Sequence, residues 1–253
     1  MGIQLRTTRL AAAAGFMTMM LTCATGVSAQ ENSGIQWSVT PYIWAPTTTV
    51  DLSFRDTNVG GEIEFSDLLD AIDTALMIHV EGGRGQWSAF ADLAYLDASD
   101  TDERTLLTVE TRSKQVMLDA AVAWWPGGVG TPLSVFGGLR HTGFDDRYDF
   151  RSPVDGTLLA SSRSEKDYYD ALLGLRYTYE MSPRWSLLGR GDVSFGDSEG
   201  TFLLRGMLAY TVGKRQQNRI LFGYQYKEAD FEDGELKTEY GFSGVLAGFN
   251  FRF

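Results

Sequence analysis

From about residue 35 to the C-terminus, apolar and polar residues alternate at every second position, and the charges gather on one side of that alternation. Val245, Ala247, Phe249, Phe251 and Phe253 share one face, while Gly244, Leu246, Gly248, Asn250 and Arg252 share the other. The same pattern runs through Phe222, Tyr224 and Tyr226 against Gly223, Gln225 and Lys227. It recurs in Trp185, Leu187, Val193 and Phe195 against Ser186, Arg190, Asp192 and Ser194, and in Val116, Leu118, Ala120, Val122 and Trp124 against Gln115, Met117, Asp119 and Ala121. A period of two is a strand period, not a helical one. No apolar run beyond residue 30 approaches the length of a membrane-spanning helix. A soluble barrel would turn its apolar face inward. A membrane barrel turns it outward and keeps its polar face in the lumen, because Arg or Lys facing lipid at mid-depth costs about 2–4 kcal/mol. The expected inward charges are Glu81, Asp92, Asp119, Arg140, Asp170, Arg176, Glu180, Arg190, Asp192 and Arg205, with His79 on the same face as Glu81.

Turn signals divide the alternation into strands near 35–45, 74–84, 86–97, 108–125, 132–149, 165–181, 185–196, 200–213, 218–230 and 237–253. The connections take two forms. Arg84-Gly85-Gln86, Pro126 to Pro132, Ser182-Pro183-Arg184 and Lys214 to Gln217 are short or rich in Gly and Pro. Segments 46–73, 98–107, 150–164, 197–199 and 231–236 are polar and mostly longer. Short periplasmic turns opposite longer outer loops predict an all-β, up-and-down antiparallel transmembrane barrel of about ten strands, both termini on the periplasmic side. Eight or twelve strands stay open, because 46–65 is able to add a hairpin. Trp37, Trp87, Trp124, Trp185 and Tyr210 suit an aromatic girdle.

The first residues read as an export leader. Arg6 and Arg9 precede an uncharged, mostly apolar stretch from Leu10 to Leu21, and Val27-Ser28-Ala29 supplies small residues for cleavage after Ala29. This divides the chain into a signal peptide, 1–29, and a barrel domain, 30–253. Cys23 is the only cysteine, and Met20-Leu21-Thr22 before it fits a lipoprotein signal poorly, so no disulfide or thiol chemistry is expected of the mature chain. The formal net charge of -11 argues against a nucleic-acid partner.

Gly248-Phe249-Asn250-Phe251-Arg252-Phe253 resembles the C-terminal β-signal of bacterial outer-membrane proteins. The resemblance implies recognition of Phe249, Phe251 and Phe253 by the barrel-assembly machinery. Trp37 to Pro46, Phe65 to Asp70 and Gly85 to Asp97 are similar to a group of proteobacterial outer-membrane barrels, which implies fold and location and supplies no catalytic residue.

Two functional classes are open to such a chain. One is a structural or passive barrel, porin-like, whose charged lumen is either plugged or conducts small polar solutes. The other is an outer-membrane lipid-modifying enzyme, a hydrolase or acyltransferase, for which His79 and His141 are the histidines available. Neither histidine lies in a recognisable catalytic motif, so no enzyme, cofactor or metal is expected. Carboxylates crowd the outer loops without the spacing of a calcium-binding loop. Ser66-Asp67-Leu68-Leu69, with Ile72, reads as a short helix capped by Ser66 and apolar at Leu68, Leu69 and Ile72, placed either over the barrel mouth as a lid or on its rim. Arg190-Gly191-Asp192 spells an adhesion tripeptide but falls inside an expected strand. Lipid, lipopolysaccharide and the assembly machinery are the expected partners.

Overall fold

The computed structural model describes residues 34–54, 57–65, 71–103, 107–213, 217–233 and 236–253. The leader with its cleavage point after Ala29, and Ser66, Asp67, Leu68 and Leu69 of the expected helix, lie outside the described residues.

Among the described residues, eleven strands form one antiparallel sheet: β1 (Gln36–Phe54), β2 (Thr57–Ile63), β3 (Ile72–Arg84), β4 (Trp87–Glu103), β5 (Thr108–Trp124), β6 (Leu133–Arg151), β7 (Leu158–Glu180), β8 (Trp185–Gly196), β9 (Gly200–Val212), β10 (Asn218–Asp233) and β11 (Leu236–Arg252). Each strand from β3 to β10 pairs with the next. β11 also pairs with β1, and β1 with β3, so ten strands close the ring. β2 stands outside it, a hairpin arm on the outer half of β1. Closure continues to the last residue, where the N–H of Phe253 donates to Trp37 O at 3.0 Å and Trp37 N–H donates back at 3.4 Å. A closed ring leaves few backbone groups unpaired, which is what a sheet needs in hydrocarbon.

The tight turns gather at one end. Gly85, at φ 63, occupies the left-handed conformation needed to reverse the chain within two residues between β3 and β4. Trp87, Trp124, Trp185 and Tyr210 sit at this end on the outer surface, the last two with ring centroids 4.7 Å apart. Above them the outer surface is apolar and exposed. On β7, Leu173, Leu175, Tyr177 and Tyr179 point out, while Asp170, Leu172, Gly174 and Arg176 point in. The exposed apolar belt with a polar interior makes this the transmembrane kind of barrel and not the soluble kind.

The strands run further at the loop end than the apolar alternation does. β1 continues to Phe54, β4 to Glu103, and β7 begins at Leu158. Ile72 opens β3, paired with Ala98 ahead of a bulge, so it is a strand residue and not part of a helix face.

Candidate functional site

The inward face of the barrel carries an ionic layer at mid-depth. Arg140 on β6 donates through Nε and Nη2 to both oxygens of Asp119 on β5, at 2.7 and 2.9 Å, and through Nη2 to Asp192 on β8 at 2.7 Å. Arg190 on β8 donates to Asp192 at 2.6 Å, to Asp119 at 2.6 Å and to Asp92 on β4 at 3.3 Å. Arg205 on β9 reaches Asp92 at 3.3 Å and donates to Gln225. Asp92 also accepts from the Tyr42 hydroxyl on β1 at 2.7 Å and lies 3.4 Å from His79 Nδ1 on β3. Arg140 is only 2% exposed and is the largest fully buried side chain among the described residues. Bidentate and multiple carboxylate contacts make such burial tolerable, although Arg140 Nη1 stays buried without a hydrogen-bond partner.

These contacts cross the lumen. In the ring order β1, β3, β4 to β11, strands β4 and β9 stand opposite each other, and the Arg205–Asp92 pair joins them. Lys227 on β10 donates to Met117 Sδ on β5, also opposite, at 3.2 Å. Toward the tight-turn end, Arg176 on β7 grips Glu81 on β3 with two bonds of 2.9 Å. Ser88 donates to the same carboxylate at 2.6 Å and accepts from Trp125 Nε1 at 2.9 Å. The Arg176 guanidinium lies 4.9 Å from the Phe90 ring centroid, and Arg190 lies 5.1 Å from that of Phe136. Phe90 and Phe136 themselves meet edge to face at 5.2 Å. Two cations thus flank an aromatic pair, each favoured by the negative ring face. Gly174 makes room for this layer, since a Cβ there would sit 2.3 Å from Phe136 Cζ.

Eight of the ten inward charges expected from sequence, Glu81, Asp92, Asp119, Arg140, Arg176, Arg190, Asp192 and Arg205, belong to these two layers. Asp170 stands apart near the loop end, where it accepts from Ser194 at 3.0 Å and from the Ser198 hydroxyl and N–H at 2.6 and 3.0 Å. Glu180 is exposed at the tight-turn end of β7, in the lining of a cavity of about 190 Å³ that includes Arg219 and Arg252. Arg190 and Asp192 of the adhesion tripeptide are buried in the lumen.

Three participants were not among the expected inward charges. Lys227 occupies an inward alternate position between Gln225 and Ala229, so strand parity alone flags it. Gln225 and Tyr42 are uncharged, and an aromatic residue reads by type as lipid-facing. The parity of Tyr42 against the exposed Ile43 is the signal that corrects this.

The outer third of the lumen is aromatic. Phe231 packs against Tyr168, Phe144 and Tyr240 with centroids 4.3, 5.9 and 5.8 Å apart. At the outer rim, carboxylate oxygens of Glu228, Asp230 and Glu239 come within 4.8 Å of one another. Burial and then the neighbouring carboxylates raise Asp230 and Glu239 above their ordinary range. Each histidine pairs with carboxylates. His79 lies between Glu81 and Asp92 inside, and His141 bonds Asp167 at 2.9 Å on the outer surface, stacked on Tyr169. The lumenal hydroxyls of Tyr42 and Ser88 donate to these same acids.

No protein-family model matches the sequence, and curated protein sequences give no significant match. Solved structures do match. The outer membrane protease OmpT of Escherichia coli superposes with a TM-score of 0.50 at 11% identity, over 90% of this chain and 100% of that one. Ail of Yersinia pestis matches at a TM-score of 0.36 and 10% identity, over 87% and 99%. OprG of Pseudomonas aeruginosa matches at 0.28 and 12%, over 88% and 97%. The likeness to OmpT is one of fold: an antiparallel closed barrel of the outer-membrane kind.

Proposed function

We propose that this chain is a structural barrel of the outer membrane whose lumen is sealed at mid-depth, and not a standing pore or an enzyme. The observation that carries the proposal is the crossing of the lumen by Arg176, Arg190 and Arg205 to carboxylates on far strands, with Asp92, Asp119, Arg140, Arg190 and Asp192 all buried. A water-filled path for ions would leave these groups hydrated and paired along one wall, as a lining. Here they replace water with one another. Residues 1–29 serve as the export leader, Phe249, Phe251 and Phe253 are read by the assembly machinery, and lipid and lipopolysaccharide surround the apolar belt. The role calls for no cofactor and no nucleic acid.

Purified protein in planar bilayers tests the seal. The native chain is expected to be silent, and the double variant Asp92→Asn, Asp119→Asn to show conducting bursts. Steady single-channel currents from the native chain would overturn the sealed reading in favour of a small-solute pore.

A further inference from the structure

Every arginine of the two ionic layers holds a carboxylate, but two inward arginines nearer the tight-turn rim hold none. Arg219 on β10 and Arg252 on β11 lie on adjacent strands, where Arg219 pairs across with Asn250, two residues from Arg252. Long side chains on such diagonal neighbours come within reach of each other, and here the two guanidiniums repel. Among the described residues, the Arg219 side chain makes no hydrogen bond or ion pair, and that of Arg252 makes one bond, from Nε to Asn250 Oδ1 at 3.1 Å. The buried Asn250 donates in turn from Nδ2 to Thr40 Oγ1 at 2.7 Å. This amide therefore orients Arg252 through Nε and leaves both of its Nη groups without a partner.

Both arginines line the cavity of about 190 Å³ at this end of the lumen, whose lining holds five arginines against two acids, Glu81 and Glu180. Arg190 and Arg205, at its deep end, are paired with Asp92. Glu81 is already gripped by Arg176. Glu180 is near enough for Arg219 to feel its charge but is in no ion pair among the described residues. The unmatched charge at the rim is thus positive. Strand register sets what lies deeper. Leu221 is the next inward residue after Arg219. One step further in, Leu188, Met207 and Leu246 share a level, because Met207 pairs with Leu188 and with Gly223, and Gly223 pairs with Leu246. All four apolar side chains line the cavity. Beyond them, Arg205 and Gln225 begin the ionic layer. From the rim inward the order is cation, hydrocarbon, ionic floor. Arg252 and Glu180 are exposed, so the cationic end meets solvent.

We propose that this cavity binds a small amphiphilic carboxylate, its headgroup held by Arg219 and Arg252 and its hydrocarbon tail laid along Leu221 and Met207 toward the ionic layer. A guanidinium takes a carboxylate through two parallel hydrogen bonds, and the apolar level behind favours a ligand with a tail over a bare inorganic anion. The proposal needs the barrel and its cavity but not a lumen sealed to ions, so the conductance test and the test below fail separately.

Equilibrium dialysis of the folded barrel in lipid nanodiscs against labelled hexanoate tests the site, with empty nanodiscs as the blank and inorganic phosphate and hexanol as competitors. Saturable binding above the blank is expected, with both competitors weak. Arg219→Gln and Arg252→Gln should each weaken hexanoate binding about tenfold, the loss of a charge-assisted hydrogen bond. Glu180→Gln should tighten it by removing the acid at the rim, an effect that misfolding does not imitate. Folding of each variant is checked by the heat-dependent gel mobility of barrels. Hexanoate held no better than by empty nanodiscs, binding undiminished in both arginine variants, or displacement by phosphate as effective as by hexanoate itself would overturn the proposal.

Discussion

Asp92 holds more of the lumen together than any of its neighbours taken singly. Its two oxygens serve Tyr42, Arg190 and Arg205 and lie beside His79, groups from four strands of the ring. Asp92→Asn keeps the volume but removes the charge. Arg190 would retain Asp119 and Asp192, whereas Arg205 would keep only its bond to Gln225 and the face of the Tyr42 ring, 5.6 Å away. Removing one member of a buried ionic cluster costs about 3–5 kcal/mol, so the variant is expected to lose stability of that order in urea unfolding from vesicles. Arg205→Gln should lose less, because the Tyr42 and Arg190 contacts to Asp92 survive it. Equal losses would mean that Asp92 is not the hub. Parity in β4 was enough to put Asp92 on the inward face. Its partners were beyond the sequence, because which strands face each other across a barrel depends on ring closure and strand number, neither of which alternation records. Lys227 shows the same limit from the other side: its position was legible, but the sulfur of Met117 opposite it was not.

At the scale of strands, the tight-turn ends follow the sequence pattern closely and the loop ends do not. Within hydrocarbon one face must be apolar, so alternation is enforced. Above it both faces are wet, and the ladder between β6 and β7 continues through Asp149–Ser161 and Phe150–Ala160 with no such pattern to mark it. Electrostatics takes over in that zone, with opposite signs at two places. At the outer end of β10 and β11, burial and mutual charge raise Asp230 and Glu239, so the folded state favours their protonated forms. The stabilisation from protonating them is complete below the ordinary carboxylate value of about 4 and is lost as pH rises through the raised folded values. On β6, hydrogen bonds from Ser161 and Arg147 hold Asp149 below its ordinary range, so its contribution is present above that range and is lost as pH falls through the lowered value. Amide exchange at the outer ends of β10 and β11 should therefore slow as pH drops from neutral toward 5, after correction for intrinsic exchange. The β6–β7 hairpin should loosen only in stronger acid. Asp230→Asn should flatten the first response and leave the second. Exchange at β10 and β11 that is indifferent to both pH and the substitution would show that these carboxylates do not strain the hairpin.

For the whole molecule, the proposed reading gives Phe253 two separable duties. The backbone of Phe253 exchanges hydrogen bonds with Trp37 and so finishes the ring, while its side chain is 68% exposed on the outer surface beside the belt. Phe249 and Phe251, with ring centroids 4.6 Å apart, extend the same outward row. Closure needs only the backbone, which any residue supplies. Recognition by an assembly machine needs the exposed ring. Phe253→Ala should therefore refold into detergent micelles with native yield and native heat-dependent gel mobility, yet accumulate poorly in the outer membrane of cells and be degraded in the periplasm. Deleting residue 253 outright should impair both, since it also removes the Trp37 rung. A variant Phe253→Ala that assembles normally in cells would leave the C-terminal aromatic row as part of the lipid-facing belt alone. A variant that fails equally in micelles would make the ring part of the closure itself, with the side chain needed to seat β11 against β1 before the backbone bonds can form.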